Sequence, residues 1–138
     1  MLEVVVKQLN AYLFLAGKTK QALEFYQACL GGEASLQTYA EADVEVPDSF
    51  KDKVMHAELV FENVCLMLSD GFPDQENIIG NNVWLSLDFN HQDEQQKVFD
   101  ALAKGGEIIR PLENTFWNAR FGQVKDKFGV CWMLNCNL

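Results

Sequence analysis

Apolar positions along this chain recur with two different periods, and the whole pattern occurs twice. Over 9–16 and again over 83–89, apolar residues alternate with others or run together, as in half-buried strands. From about Thr19 to Leu30 the spacing changes to three and four, which puts Ala22, Phe25, Tyr26 and Cys29 on one side of a predicted helix. A second helix is predicted from about Gln92 to Lys104, with Val98, Ala101 and Leu102 inward, Asn90 as N-cap, and Asp93 and Glu94 in its first turn. Gly31-Gly32 and Gly105-Gly106 stop these helices, since glycine takes the left-handed conformation past a helix end at little cost. Further strands are expected over 33–40, 56–61 and 65–69, and over 107–111, 121–125 and 130–135.

The two halves match in order. Tyr12-Leu-Phe-Leu15 sets against Trp84-Leu-Ser-Leu87 at an offset of 72, and Gly31-Gly32-Glu33 against Gly105-Gly106-Glu107 at 74. Val64-Cys-Leu-Met-Leu68 sets against Val130-Cys-Trp-Met-Leu134 at 66. Two extra residues are therefore expected before the second helix, and eight in the first half's acidic loop around Glu41 to Lys53. The expected fold class is α+β: two tandem βαβββ modules, about 8–72 and 80–137, in one domain.

A helix covers one face of such a sheet, so alternation indicates what the other face carries. Ala11, Leu13, Leu15, Ala57, Leu59, Phe61, Leu66 and Leu68 form the packing set of the first module, and Val83, Leu85 and Leu87 begin that of the second. Facing away are Asn10, Tyr12, Phe14, His56, Glu58, Cys65, Met67 and Ser69, then Asn82, Trp84, Ser86, Asp88, Cys131, Met133 and Asn135. Aromatic, thioether, amide and ionisable groups in such a mixture suit a ligand pocket. A solvent-facing or dimer-facing sheet is the plainer alternative.

Charge narrows the partners. A formal net charge of −9 with scattered Lys and Arg argues against nucleic acid and anionic membranes. No apolar run reaches the length of a membrane span, and the start, with an acid at Glu3, lacks the pattern of a secretory signal. A cytoplasmic protein is expected, its partners a small molecule and a second copy of itself as a homodimer. Cys29, Cys65, Cys131 and Cys136 form no Cys-x-x-Cys pair, and read as small buried residues in preference to a Cys65–Cys131 disulfide.

Repeated βαβββ units resemble the vicinal-oxygen-chelate (glyoxalase/bleomycin-resistance/dihydroxybiphenyl dioxygenase) superfamily. Tyr12-Leu-Phe-Leu-Ala-Gly17, Ala22-Leu-Glu-Phe-Tyr26 and His56-Ala-Glu58 are similar to its PhnB-like branch, as are Leu66-Met-Leu-Ser-Asp70 and Thr115-Phe-Trp117. Ala119-Arg-Phe-Gly122 and Asp126-Lys-Phe-Gly129 with Trp132-Met133 complete the match. The resemblance implies paired modules whose curled mixed sheets enclose a cavity and, in the metal-dependent members, His or Glu ligands from the first and last strand of each module. Those positions fall here at Asn10, Met67, Asn82 and Met133, poor ligands for zinc, nickel or iron, so no cofactor or metal is expected. Relatives have been labelled demethylubiquinone methyltransferases; the only Gly-Gly pairs here follow helices, and that activity is not expected.

Two functional readings stand side by side. In one the chain is a metal-independent small-molecule binder lined by Tyr12, Phe14, Met67, Trp84, Trp117, Arg120 and Met133, with Arg120 as a clamp for a carboxylate or phosphate. In the other it is an enzyme of lyase, isomerase or dioxygenase type. His56 and Glu58, two apart on one strand, would then serve as an acid/base pair, or begin an atypical metal site with Asp70 or Asp88. Tyr12 and Tyr39 are candidate phenolic donors toward the cavity, Trp132 is assigned to the core, and His91 to a solvated loop.

Overall fold

The computed structural model describes residues 3–138; Met1 and Leu2, part of the start read above for targeting, lie outside the described residues. The first module runs β1 (Ala11–Phe14), α1 (Thr19–Leu30), β2 (Glu33–Thr38), β3 (Val54–Phe61) and β4 (Val64–Ser69). The second runs β5 (Trp84–Phe89), α2 (Gln92–Ala103), β6 (Glu107–Asn114), β7 (Ala119–Lys125) and β8 (Cys131–Asn137). Each module forms one four-stranded mixed sheet, ordered β1-β4-β3-β2 and β5-β8-β7-β6. The first and last strands of each pair in parallel, and the other neighbours are antiparallel.

Strand register corrects the expected repeat. Met67 lies beside Tyr12 and Met133 beside Ser86. The last strands correspond at an offset of 66, so the first strands correspond at 74, Tyr12 with Ser86 and Phe14 with Asp88. The match of Tyr12 to Trp84 was two residues out. A slip of two keeps every side chain on its own face, so alternation cannot reveal it. With 74 holding for strand and double glycine alike, the expected two-residue insertion disappears. Residues 3–10 are exposed and precede β1, and Val83, 74% exposed, precedes β5, so neither flank joins the sheet as expected. The extra length of the first module falls between β2 and β3, around the short helical turn Asp48–Phe50.

Two compact units are present. One takes in the chain up to Leu23 together with Gly32–Gln75; the other takes in Glu24–Gly31 with Glu76–Leu138. In the first, Leu15, Ala22, Leu23, Val54, Ala57, Leu59, Leu66 and Leu68 are buried. In the second, Phe99, Leu102, Val124, Trp132, Leu134 and Cys136 are buried, and α2 lies against all four strands of its sheet. Gln95 interrupts that apolar set: it is fully buried, its amide donating to the carbonyls of Arg120 (2.8 Å) and Leu134 (3.1 Å). His91, not Asn90, holds the N-cap position of α2, without a side-chain capping bond.

The C-terminal part of α1 does not simply cover its own module's sheet. Tyr26, fully buried, donates its hydroxyl to Asp126 at 2.6 Å, and its ring meets Trp132 edge-on. Asp126 also accepts from the Trp132 indole (2.8 Å) and from the amides of Phe128 (2.8 Å) and Val130 (3.1 Å). Phe25 packs on Phe128, and the Lys127 ammonium stands 4.6 Å from the Phe25 ring centre. Trp132 is thus a core residue, as expected. Burial and then the neighbouring Asp126 carboxylate raise the Tyr26 phenol well above its ordinary value, and the same causes push the Cys29 thiol up to about 11.

The repeated double glycines have two separate jobs. Gly31 and Gly105 take left-handed φ values of 78° and 76°, ending each helix. Gly32 and Gly106 let two strands approach: a β-carbon on Gly32 would sit 2.5 Å from the Val60 carbonyl oxygen, and one on Gly106 would strike that of Lys125. These contacts are at corresponding places in the two modules.

Candidate functional site

The register lays out the open face of the first sheet in rows. Tyr12, Met67, Glu58 and Ser35 form one row; beyond it Phe14 stands beside Ser69, and His56 beside Gln37. The Tyr12 hydroxyl and His56 Nδ1 are 2.7 Å apart, and His56 Nε2 is 3.2 Å from Glu58 Oε1. A carboxylate oxygen can only accept, so in the neutral imidazole Nε2 carries the proton, Nδ1 presents a lone pair, and Tyr12 donates to it. The result is a directed chain, Tyr12 to His56 to Glu58. Phe14 stacks on Tyr12 with ring centres 5.1 Å apart, and Met67 stands between Tyr12 and Glu58. Both aromatic rings are 39% exposed, so the group is open to a ligand.

Burial raises the Tyr12 phenol, the Ser69 hydroxyl opposes this, and Tyr39 and Glu58 add to the rise. Tyr12 therefore stays a neutral phenol. Tyr39 differs from its expected role: it is buried and donates to the carbonyl of Gly71, leaving no proton for a ligand. Asp70 is likewise occupied. One of its oxygens accepts from the amides of Gly17 (2.7 Å) and Thr19 (3.2 Å) and from the Thr19 hydroxyl (2.6 Å), the other from the Val54 amide (2.8 Å). It caps the start of α1 and is not spare for a metal with His56 and Glu58. All four cysteines are free; burial first raises the Cys65 and Cys131 thiols, so neither is an activated thiolate.

The other named residues lie in the second module. Trp84 is half-buried on the open face, its indole donating to the Asn81 carbonyl at 2.8 Å. Met133 stands between Ser86 and Gln123. Trp117, before β7, meets Phe116 and Phe121 edge-on and reaches Asn135 at 3.4 Å. With Ile109, Arg110 and Glu113 these rings line an open groove of about 440 Å³. Arg120 belongs elsewhere. It follows the strand parity of the packing face, and its guanidinium donates to the side chain of Gln96 and to the Gln92 carbonyl on α2, so it does not share the open face with Met133. Alternation within 121–125 left Arg120 outside the expected strand; extending β7 back to Ala119 assigns its face.

The chemistry of a metal centre does not fit these positions. Asn10 and Asn82 precede β1 and β5, and the strands place Tyr12 and Ser86 beside the two methionines. Thioethers and neutral hydroxyls are weak donors to zinc, nickel or iron. Among the described residues no group of three or more His, Cys, Asp or Glu is placed to hold a metal ion. Asp88 is exposed and accepts from Asn135 at 3.4 Å.

Comparison with known proteins places the chain. Residues 7–135 match the family described as 3-demethylubiquinone-9 3-methyltransferase. Protein YjdN of Escherichia coli (strain K12) is 33% identical, over 92% of this chain and 93% of that protein. The crystal structure of protein PA1353 from Pseudomonas aeruginosa is similar with a TM-score of 0.84 and 37% identity, covering 96% of this chain and 98% of that one. A PhnB protein from Bacillus cereus, described as a putative 3-demethylubiquinone-9 3-methyltransferase, follows at 0.76 and 23%, covering 94% and 99%. At the level of fold the likeness extends to glyoxalase/bleomycin resistance/dioxygenase proteins. The chain belongs to the 3-demethylubiquinone-9 3-methyltransferase family.

Proposed function

We propose that this protein binds a small organic molecule on the open face of its first sheet, without a resident metal ion. One observation carries the reading: a hydrogen-bonded chain, Tyr12–His56–Glu58, set beside the apolar surfaces of Phe14 and Met67. Apolar walls supply burial, and a few fixed polar atoms orient the ligand. Curled sheets enclosing the ligand, a homodimer to complete the cavity and a cytoplasmic location belong to the same proposal. Exposed Val4, Val5 and Val6 support association with a second copy. No helix of the described residues is long and apolar enough to cross a membrane. Methyl transfer is not part of the reading, because the amides of Gly17 and Thr19 at the β1–α1 turn already serve Asp70.

Binding is tested with methyl-labelled methionine, titrating indole and acetophenone as probes. The Met67 methyl signal is expected to move, and His56→Ala to weaken binding by roughly tenfold, as loss of the oriented polar partner implies. Signals that move only at Met133, or binding indifferent to His56→Ala, would overturn the assignment. Elemental analysis after incubation with zinc, nickel, manganese and iron(II) is expected to show well under one metal per chain; a stoichiometric metal would refute the metal-free part.

Proton transfer by His56 is the second reading, favoured by the fixed tautomer and the carboxylate behind it. Its sign would be His56-dependent exchange of the acetophenone methyl protons for deuterium, and binding alone gives none.

A further inference from the structure

We infer that the Tyr12–His56–Glu58 chain makes the Tyr12 oxygen a hydrogen-bond acceptor toward the ligand, so that the site selects molecules presenting an N–H or O–H group beside a flat apolar part. This deepens, and rests on, the ligand face proposed above.

The inference follows from counting protons. A phenol has one proton and two lone pairs. In Tyr12 that proton is committed to His56 Nδ1 at 2.7 Å. The commitment is enforced from the far side of the ring: Glu58, 3.2 Å from Nε2, holds the proton there and leaves Nδ1 bare. Glu58 is therefore a positioning residue, acting on the ligand only through the tautomer of His56. The Ser69 hydroxyl addresses one lone pair of the Tyr12 oxygen; what remains is the other, on a half-exposed residue flanked by Phe14 in parallel stack and by Met67. A ligand carbonyl or ether placed there meets lone pair against lone pair. A ligand donor completes the oxygen's bonding.

The same chain runs the other way once His56 takes a second proton. Both ring nitrogens then donate, Nδ1–H to the Tyr12 oxygen, and the phenol proton turns outward. Specificity thereby inverts from donors to acceptors. The groups facing His56 are Tyr12 from β1, Glu58 on its own strand, Ser69 from β4 and Gln37 from β2, with Met67 beside Glu58. Tyr39 and Cys65 are the further titratable groups nearby, acting on Tyr12 and on Glu58 respectively. Burial raises both Tyr39 and Cys65, so each keeps its proton at neutral and mildly acid pH.

Two probes separate the directions: indole has an N–H donor and no strong acceptor, acetophenone an acceptor and no donor, and neither ionises in this range. Histidine-labelled protein, with His91→Gln to assign the rings, reports the tautomer directly by nitrogen NMR. Above the His56 titration the neutral ring is expected to carry its proton on Nε2, and the affinity ratio of indole to acetophenone is expected to fall roughly fivefold as the ring protonates, one hydrogen bond being exchanged for another. Glu58→Gln should shrink that change, and Tyr12→Phe should abolish it. A neutral ring protonated on Nδ1, or a ratio constant through the titration, overturns the inference. If neither probe moves the Met67 methyl while the ring shows the expected tautomer, the ligand face fails and the direction of the chain stands.

Discussion

Laid over one another, the two modules agree on their packed faces and part company on their open ones. Leu66 and Leu68 correspond to Trp132 and Leu134, Ala57 to Gly122 and Leu59 to Val124, all apolar or glycine. On the open face Met67 and Met133 correspond unchanged, but Tyr12, His56 and Glu58 stand where the second module has Ser86, Phe121 and Gln123. A packed face is held to shape by its neighbours, since interiors tolerate little change of volume. An open face is free to acquire chemistry. The hydrogen-bonded chain belongs to one module only, and the second offers aromatic surface in its place.

That contrast can be broken first at Asp126, which the second unit uses as a buried hub. Asp126→Ala strands the Tyr26 hydroxyl and the Trp132 indole without a partner, and chemical denaturation is expected to show a loss of about 4 kcal/mol. Next come the paired glycines. Gly32→Ala and Gly106→Ala should each cost about 2 kcal/mol through collision with a strand carbonyl, and Gly32→Ala should cost more because its φ of 92° also disfavours a side chain. Equal small effects would mean that the modules do not share this packing device. The smallest effect is expected on the open face. Tyr12→Ser, His56→Phe and Glu58→Gln, which install the second module's residues, should each change stability by less than about 1 kcal/mol, the first two removing the binding preference and the third weakening its pH dependence. A large loss of stability there would make the chain structural.

Much of this was legible because the physics involved is local. Helix α1 occupies the residues its spacing predicted, and period-two alternation assigned Tyr12, His56, Glu58 and Met67 to one face. What alternation could not carry was position along the strand: Asn10 lies two residues, and Asn82 four, before Tyr12 and Ser86, the residues that stand beside the methionines. The link between Tyr12 and His56 spans 44 residues and needed the order β1-β4-β3. Gln95 broke the apolar spacing of α2 and hid its buried turn, since a polar residue there is tolerated only through two carbonyl partners on the sheet side. Tyr39 fell inside the expected strand over 33–40; the strand ends at Thr38, and the Tyr39 hydroxyl is spent on Gly71.

The bond from Tyr26 to Asp126 also has a consequence in time. A hundred residues separate its ends, so on the ribosome α1 leaves the exit tunnel long before its acceptor is made. At roughly 5–20 residues per second that interval lasts several seconds. Over it the phenol and the Phe25 ring lack the loop that later shelters them, and β1 must still wait for β4. A nascent chain stalled before Asp126 is thus expected to show the first sheet formed and the end of its helix open to protease, closing only as the last strand arrives.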